Sequence, residues 1–300
     1  MKVNSITQLL LICAVSCPAR AWHSEGHSAA TDLAVTLARD IMPAFFTQGL
    51  ETIKHCSIDP DVFKIRADSS CLYRTEYPSH YFDLELFEDV ILPDTREDFW
   101  WWCLRHKVSV GKIGALPYAI AESSTRLSLA LAEHQRWPEN EAIQAKCLVY
   151  AGLLAHYAQD ACMPLHATIH WDGRSTSDNN SPRTGIHTKT DALLHKIPMP
   201  LLEAGDPNDM PAFDSVLEAS LEQLRVSNSR VDQLYLLEPD LPDVNQPLEG
   251  PPVLLDYVEE SLIQSAHFTA QLFVTAWKNT EVCILPGWHD RKETLGPTQK

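Results

Sequence analysis

Apolar residues recur at three- and four-residue spacings over most of this 300-residue chain, the period of helices laid on a core. The pattern predicts helices over residues 29–39, 118 to about 134, 142–159, 187–195, 211–227, and 254 to 274 or 277. Pro164 is expected to end or bend the central helix, since proline cannot continue the hydrogen-bond ladder. Residues 51–75 read as irregular, 169–185 as a polar loop rich in Ser, Asp, Asn and Gly, and 238–252 as an extended surface loop. No alternating strand series, internal repeat or heptad seam is found. The expectation is an all-α chain, a single multi-helix domain of about eight helices. It would span residues 22–285 and leave 286–300 as a loose tail.

The N-terminus changes where that domain begins. Lys2 precedes an apolar run over residues 9–15, too short to cross a bilayer, and Ala19-Arg20-Ala21 has the form of a cleavage site. A signal peptide over residues 1–21 is therefore expected, with a mature chain starting at Trp22 that is secreted or periplasmic. Without Lys2 and Arg20 the chain keeps 22 basic against 40 acidic residues, a net of −18. Such a balance disfavours broad nucleic-acid binding. Six cysteines remain, Cys56, Cys71, Cys103, Cys147, Cys162 and Cys283, with no C-x-x-C pair. An even count in an exported chain favours disulfides. Cys56 with Cys71 would close a short loop, whereas Cys147 and Cys162, beside the central helix, suit buried thiols.

The chemistry-bearing residues gather around His156-Tyr-Ala-Gln-Asp160-Ala-Cys-Met-Pro-Leu-His166. His156 and Asp160 are four apart, so a helix projects both from one face, within reach of one ion. His166 follows the Pro164 bend, and His187 with Asp191 repeats the same spacing. Trp22 as a chain terminus offers an α-amino group and its own carbonyl oxygen, which His27 can join. Asp61, with Asp59 as a rival, and His80 complete the candidates. Taken singly, His27 and His80 read as readily as ordinary core histidines. Together, the nine candidates exceed what one zinc takes, and nitrogen and oxygen donors without thiolate suit zinc rather than calcium or magnesium. A multinuclear site of this kind can bind and cleave phosphoesters. Trp100-Trp101-Trp102 cannot all face one core, so at least one is expected at a pocket rim or a membrane-facing surface. Trp100, Trp101, Tyr81 and Phe82 are candidates for an aromatic wall facing a choline-like cation or a base.

The motifs Trp22…His27, Ser79-His80-Tyr-Phe-Asp83, Gly114-Ala-Leu-Pro117, His156-x3-Asp160-x5-His166 and Gly185-Ile-His187-x3-Asp191 together resemble those of bacterial zinc-dependent phospholipases C and the related single-strand-specific zinc nucleases. The resemblance covers residues 22–195. It implies an all-α fold with three zinc ions at the base of a cleft. Asp61, His80, His156 and Asp160 would hold the first ion, and His166, His187 and Asp191 the second. The amino and carbonyl groups of Trp22, with His27 and Asp160, would hold the third, making Asp160 a bridge. Asp83 would orient a ligand histidine. Hydroxide between the first and third ions would attack phosphorus, with Asp61 assisting as a base. The phospholipase branch is favoured by Gly114-Ala-Leu-Pro117, by the lack of a Gly-Gly-Asn run after His166, and by the net acidity. Asp191, where the best-known phospholipases carry glutamate, is nuclease-like. Phospholipid at the glycerol-phosphate bond is thus the expected substrate, with transient membrane contact and no obligate protein partner. A nuclease or nucleotidase is the alternative, and a non-catalytic zinc-binding protein the second.

Overall fold

Asn140 starts the central helix by accepting hydrogen bonds from the Ala142 and Ile143 amides at 3.1 and 3.2 Å, which satisfies two donors a helix start leaves open. The computed structural model describes residues 23–64, 71–87, 91–176, 180–201 and 210–290. Trp22 and the expected signal peptide lie outside them. The described chain is all-α, with thirteen α-helical segments, short 3-10 turns and isolated bridges in place of strands. In order these are α1 (Ser24–Ala38), α2 (Ala44–Gln48), α3 (Leu50–Cys56), α4 (Asp59–Phe63), α5 (Cys71–Glu76) and α6 (Arg96–His106). Then follow α7 (Val110–Ile113), α8 (Leu116–Arg136), α9 (Glu141–Asp160), α10 (Ile186–Asp191), α11 (Val216–Ser229), α12 (Val231–Leu237) and α13 (Pro252–Lys278).

Helix α9 is the axis. It packs on α8, α3 and α13, while α1 lies along α13 and α11 along α8. From Leu154 to Asp160 every residue is buried, so the helix drives a polar end into the middle of the molecule. The approach of α3 needs Gly152: a Cβ there would stand 2.5 Å from Cys56 Cβ and 2.7 Å from the Ile53 carbonyl oxygen. No helix among the described residues is long and apolar enough to cross a membrane.

The number of helices exceeds the expected eight because seven pieces are only one or two turns long. Residues 51–75 are not irregular where described: Pro60 sits in the first turn of α4, where its missing N–H costs nothing, rather than in a solvated turn. The helix expected over 187–195 ends at Asp191 and gives way to a 3-10 turn over Leu194–Lys196. The expected Cys56–Cys71 disulfide is absent, and all six cysteines are free thiols. Cys56 points into the α3–α9 contact and is buried, whereas Cys71 is exposed at the start of α5. Cys147 and Cys162 are buried thiols. In the stretch read as a tail, His289 is buried, with Nε2 2.6 Å from Glu133 Oε1.

Gly152→Ala should destabilise the fold by about 1–3 kcal/mol, because the backbone clash outweighs the better helix propensity of alanine. A denaturant midpoint equal to or above that of the parent chain would show that α3 yields freely.

Candidate metal centre

Main-chain hydrogen bonds bring the separate segments together. Gly114, at φ +89°, stands so close to Tyr81 that a Cβ would lie 1.9 Å from its carbonyl oxygen, so only glycine fits. The Ala115 amide donates to the Pro78 carbonyl at 2.7 Å and the Asp83 amide to Ile113 at 2.7 Å, fixing the turn that carries His80. From the same turn, the Phe82 amide donates to the His166 carbonyl at 2.8 Å. At the start of the described chain the His23 amide donates to the Asp191 carbonyl at 2.9 Å, which sets the residue next to Trp22 against α10.

Donor atoms then converge around Asp160, which has no solvent exposure. Asp160 Oδ2 is 2.9 Å from His80 Nδ1 and 3.3 Å from His156 Nε2, and those nitrogens are 3.0 Å apart. Asp61 Oδ1 lies 3.9 and 3.8 Å from the same two nitrogens. Asp160 Oδ1 faces the other way, 3.7 Å from both His27 Nε2 and His166 Nδ1. His187 Nε2 is 3.2 Å from both His166 Nε2 and Asp191 Oδ2. Donors around one tetrahedral zinc stand roughly 3.3 Å apart. Three groups can each hold an ion: His80, His156, Asp160; His166, His187, Asp191; and His27, Asp61, His156.

The donors also fit a cation by what they lack. His27 Nε2, His166 Nδ1, Asp160 Oδ1 and Asp191 Oδ1 are buried without a hydrogen-bond partner among the described residues. Each such atom costs about 1–3 kcal/mol unless something charged or polar meets it. The far ring nitrogens, by contrast, are held. His156 Nδ1 donates to the Ser57 carbonyl at 2.7 Å and His187 Nδ1 to the Trp171 carbonyl at 3.0 Å, leaving each Nε2 lone pair for the centre. His27 Nδ1 is 2.6 Å from the Gln159 side-chain amide, which also meets Thr31 Oγ1 at 2.9 Å, so the amide fixes the plane of the imidazole with Nε2 toward the centre. His80 Nε2 has Glu76 at 3.5 Å, and Glu76 in turn accepts from the Tyr157 hydroxyl.

Burial sets the charge state. It pushes His27 down to about 3, with His156 adding to the effect, and pushes His166 well below its ordinary value. Burial raises Asp191 to about 6 against the opposing pull of His187. Asp61 would also be raised by burial, but His156 and then Lys64, 2.6 Å away, hold it near 2. Asp160 is held well below the ordinary range by His156 and His166 in spite of its burial.

The structure thus places His27, Asp61, His80, His156, Asp160, His166, His187 and Asp191 at one centre, while Trp22 lies outside the described residues. Asp61 takes the position beside His80; Asp59 sits instead near the Cys56 thiol, which burial and that carboxylate push up. Asp83 makes no hydrogen bond to a histidine and lines the cleft above, so Glu76 occupies the place expected for it. The aromatic wall is also different. Phe82 is in the core against Phe87 and Phe99, and Trp101 is on the surface; Tyr81 lines the cleft with Tyr77 and Trp171. Ser57, Trp171, Glu76 and Gln159 were missed, and only Gln159, between two candidate ligands, had a sequence signal.

No protein-family model matches this chain, and a comparison with curated proteins finds no match. Among solved structures it is similar to an alpha-toxin of Clostridium perfringens from an avian strain, at 15% identity and TM-score 0.48, covering 87% of this chain and 66% of that one. It is also similar to the alpha toxin of Clostridium absonum, at 11% identity and TM-score 0.48, covering 85% of this chain and 63% of that one. The chain thus spans about two thirds of each toxin's length. A likeness at this level assigns no residue or activity.

Gln159→Leu should weaken binding of the ion served by His27 by about 10- to 100-fold. Metal content per chain after dialysis against graded chelator reads this directly; an unchanged titration would reduce Gln159 to a packing residue.

Proposed function

We propose that the chain is an exported zinc-dependent phosphodiesterase that acts on phospholipids at the glycerol-phosphate bond. The observation that carries the reading is the placing of Asp160 with one oxygen toward His80 and His156 and the other toward His27 and His166. One carboxylate can thereby serve two ions. Trp22, as the mature N-terminus, is proposed to complete the set of three, with His27 and Asp160. Zinc bound there would supply Lewis-acid charge to a phosphate oxygen and lower the pKa of water to about 7.

The chain's own residues supply the rest. A cleft of about 410 Å³ opens onto His80, His166 and His187 and carries Lys64, Lys112 and Arg183 in its lining. With Lys64 paired to Asp61, Lys112 and Arg183 are the cations that attract and orient a phosphate that a chain of net charge −16 would otherwise repel. Leu86, Leu165 and Ile169 give the cleft an apolar side for an acyl-bearing group. Asp83 faces the same space, and burial, then Glu85, pushes its carboxyl well above the ordinary range. It is suited to hold a proton and pass it to a leaving oxygen. Asp61, kept ionised by His156 and Lys64, offers its charge to a bound cation more readily than a lone pair to a proton, so a base role for it is secondary.

Mature chain beginning at Trp22 should hydrolyse phosphatidylcholine and a soluble phosphocholine ester, lose both activities to chelator, and regain them with zinc. Single-stranded DNA in a parallel arm separates the alternative, and DNA cleavage without lipid turnover would replace the lipid reading with a nuclease. Asp160→Asn should lose nearly all activity together with two ions' worth of bound metal; full activity in that variant would sink the bridge.

A further inference from the structure

Helix α6 buries Phe99, Trp102 and Cys103 and turns Trp100, Trp101 and Leu104 outward, at 50%, 54% and 67% exposure. The outward three are at positions i, i+1 and i+4, so they form one contiguous apolar patch. Two indoles standing half in water are costly unless something covers them. The charge around them is polarised: Glu97 and Asp98 stand in the first turn of α6, while from Phe99 to Ala121 there is no acidic residue and the stretch carries Arg105, His106, Lys107 and Lys112. Arg105, Lys107 and Lys112 are exposed and make no ion pair among the described residues.

The patch also adjoins the cleft. Trp100 and Val110 line a second cavity of about 790 Å³, and Gly111 lines both that cavity and the metal-side cleft. Tyr81, on the cleft wall, donates its hydroxyl to the Gly111 carbonyl at 2.8 Å, and Lys112 faces the cleft itself. Aromatic rings with an adjacent basic cluster are the composition of a helix that lies at a lipid–water interface. An anionic surface attracts each nearby Lys or Arg and repels the remainder of a chain with net charge −16.

We infer that the outward face of α6, Trp100, Trp101 and Leu104 with Arg105, Lys107 and Lys112, docks onto an anionic lipid surface and sets the cleft mouth beside it. The purpose of this face rests on the phospholipid reading, but its test does not. Zinc-loaded chain is mixed with vesicles of phosphatidylcholine alone or with added phosphatidylglycerol, followed by co-sedimentation and by quenching of tryptophan fluorescence with brominated lipid. Binding should favour the anionic vesicles and fall with salt. The double variants Trp101→Ser/Leu104→Ser and Arg105→Glu/Lys107→Glu should each weaken it on the order of tenfold, with turnover of the soluble ester unchanged. All four positions are exposed, and the second variant keeps the apolar patch, so misfolding cannot produce both results. No vesicle binding, or binding indifferent to both variants, overturns the inference. So does loss of self-association or of single-stranded DNA retention in the variants in place of vesicle binding, which would give the face to a second copy or to nucleic acid. Vesicles bound through this face without lipid hydrolysis would leave the docking standing and remove the phospholipase reading.

Discussion

An ionised carboxylate with no access to water is among the more expensive things a fold can bury, and Asp160 is one. The rest of the site is arranged to meet that cost. His80 and His156 approach one of its oxygens, His27 and His166 the other, and Asp61 and Asp191 bring further negative charge close by. Burial drives His27 and His166 toward the neutral form, whereas His156 and His187, in spite of their burial, are raised by Asp160 and Asp191. Lys64 pairs only with Asp61. A cluster of imidazole nitrogens and carboxylate oxygens, buried at the base of the cleft, is the donor set of a metal site.

Such a centre is demanding about orientation, and the fold meets this with main chain more than with side chains. The Ser57 carbonyl just after α3 and the Trp171 carbonyl in a loop each hold one imidazole by its outer nitrogen. The seating of α3 on α9 at Gly152 therefore bears on two things at once, core packing and the angle of His156. The hydrogen bonds tying the His80 turn to Gly114 on one side and to the His166 turn on the other couple the first and second donor groups in the same way. Stability and ligand geometry are not separable here, because the same backbone contacts set both.

This division explains what could be read beforehand. Helical period and the i, i+4 pairs His156–Asp160 and His187–Asp191 are local, and local spacing survives folding; α9 and α10 carry both pairs. The supports are non-local. A carbonyl at Ser57 or Trp171 has no side-chain signature, and Glu76 in place of Asp83 depends on which side of the His80 ring each backbone turn happens to present. Cys56 and Cys71 are close in sequence, but the orientation of Cys56 is set by Gly152 of α9, 96 residues further along the chain and adjacent in space. The short helices escaped notice for a different reason. A piece of one or two turns has too few residues to show a period.

The surface charge completes the physical picture. A chain of net charge −16 should hold phosphates off, yet the cleft above the metal centre is lined by Lys64, Lys112 and Arg183, and Asp83, the carboxyl in that lining, is pushed toward its neutral acid form. Lys64 is paired with Asp61, so Lys112 and Arg183 are the cations that the lining leaves to attract an anion. Arg183 also lies 5.8 Å over the Trp171 ring, whose face a quaternary ammonium would otherwise use. Arg183 thereby takes one aromatic face of the cleft, and Tyr77 and Tyr81 supply other rings of its lining.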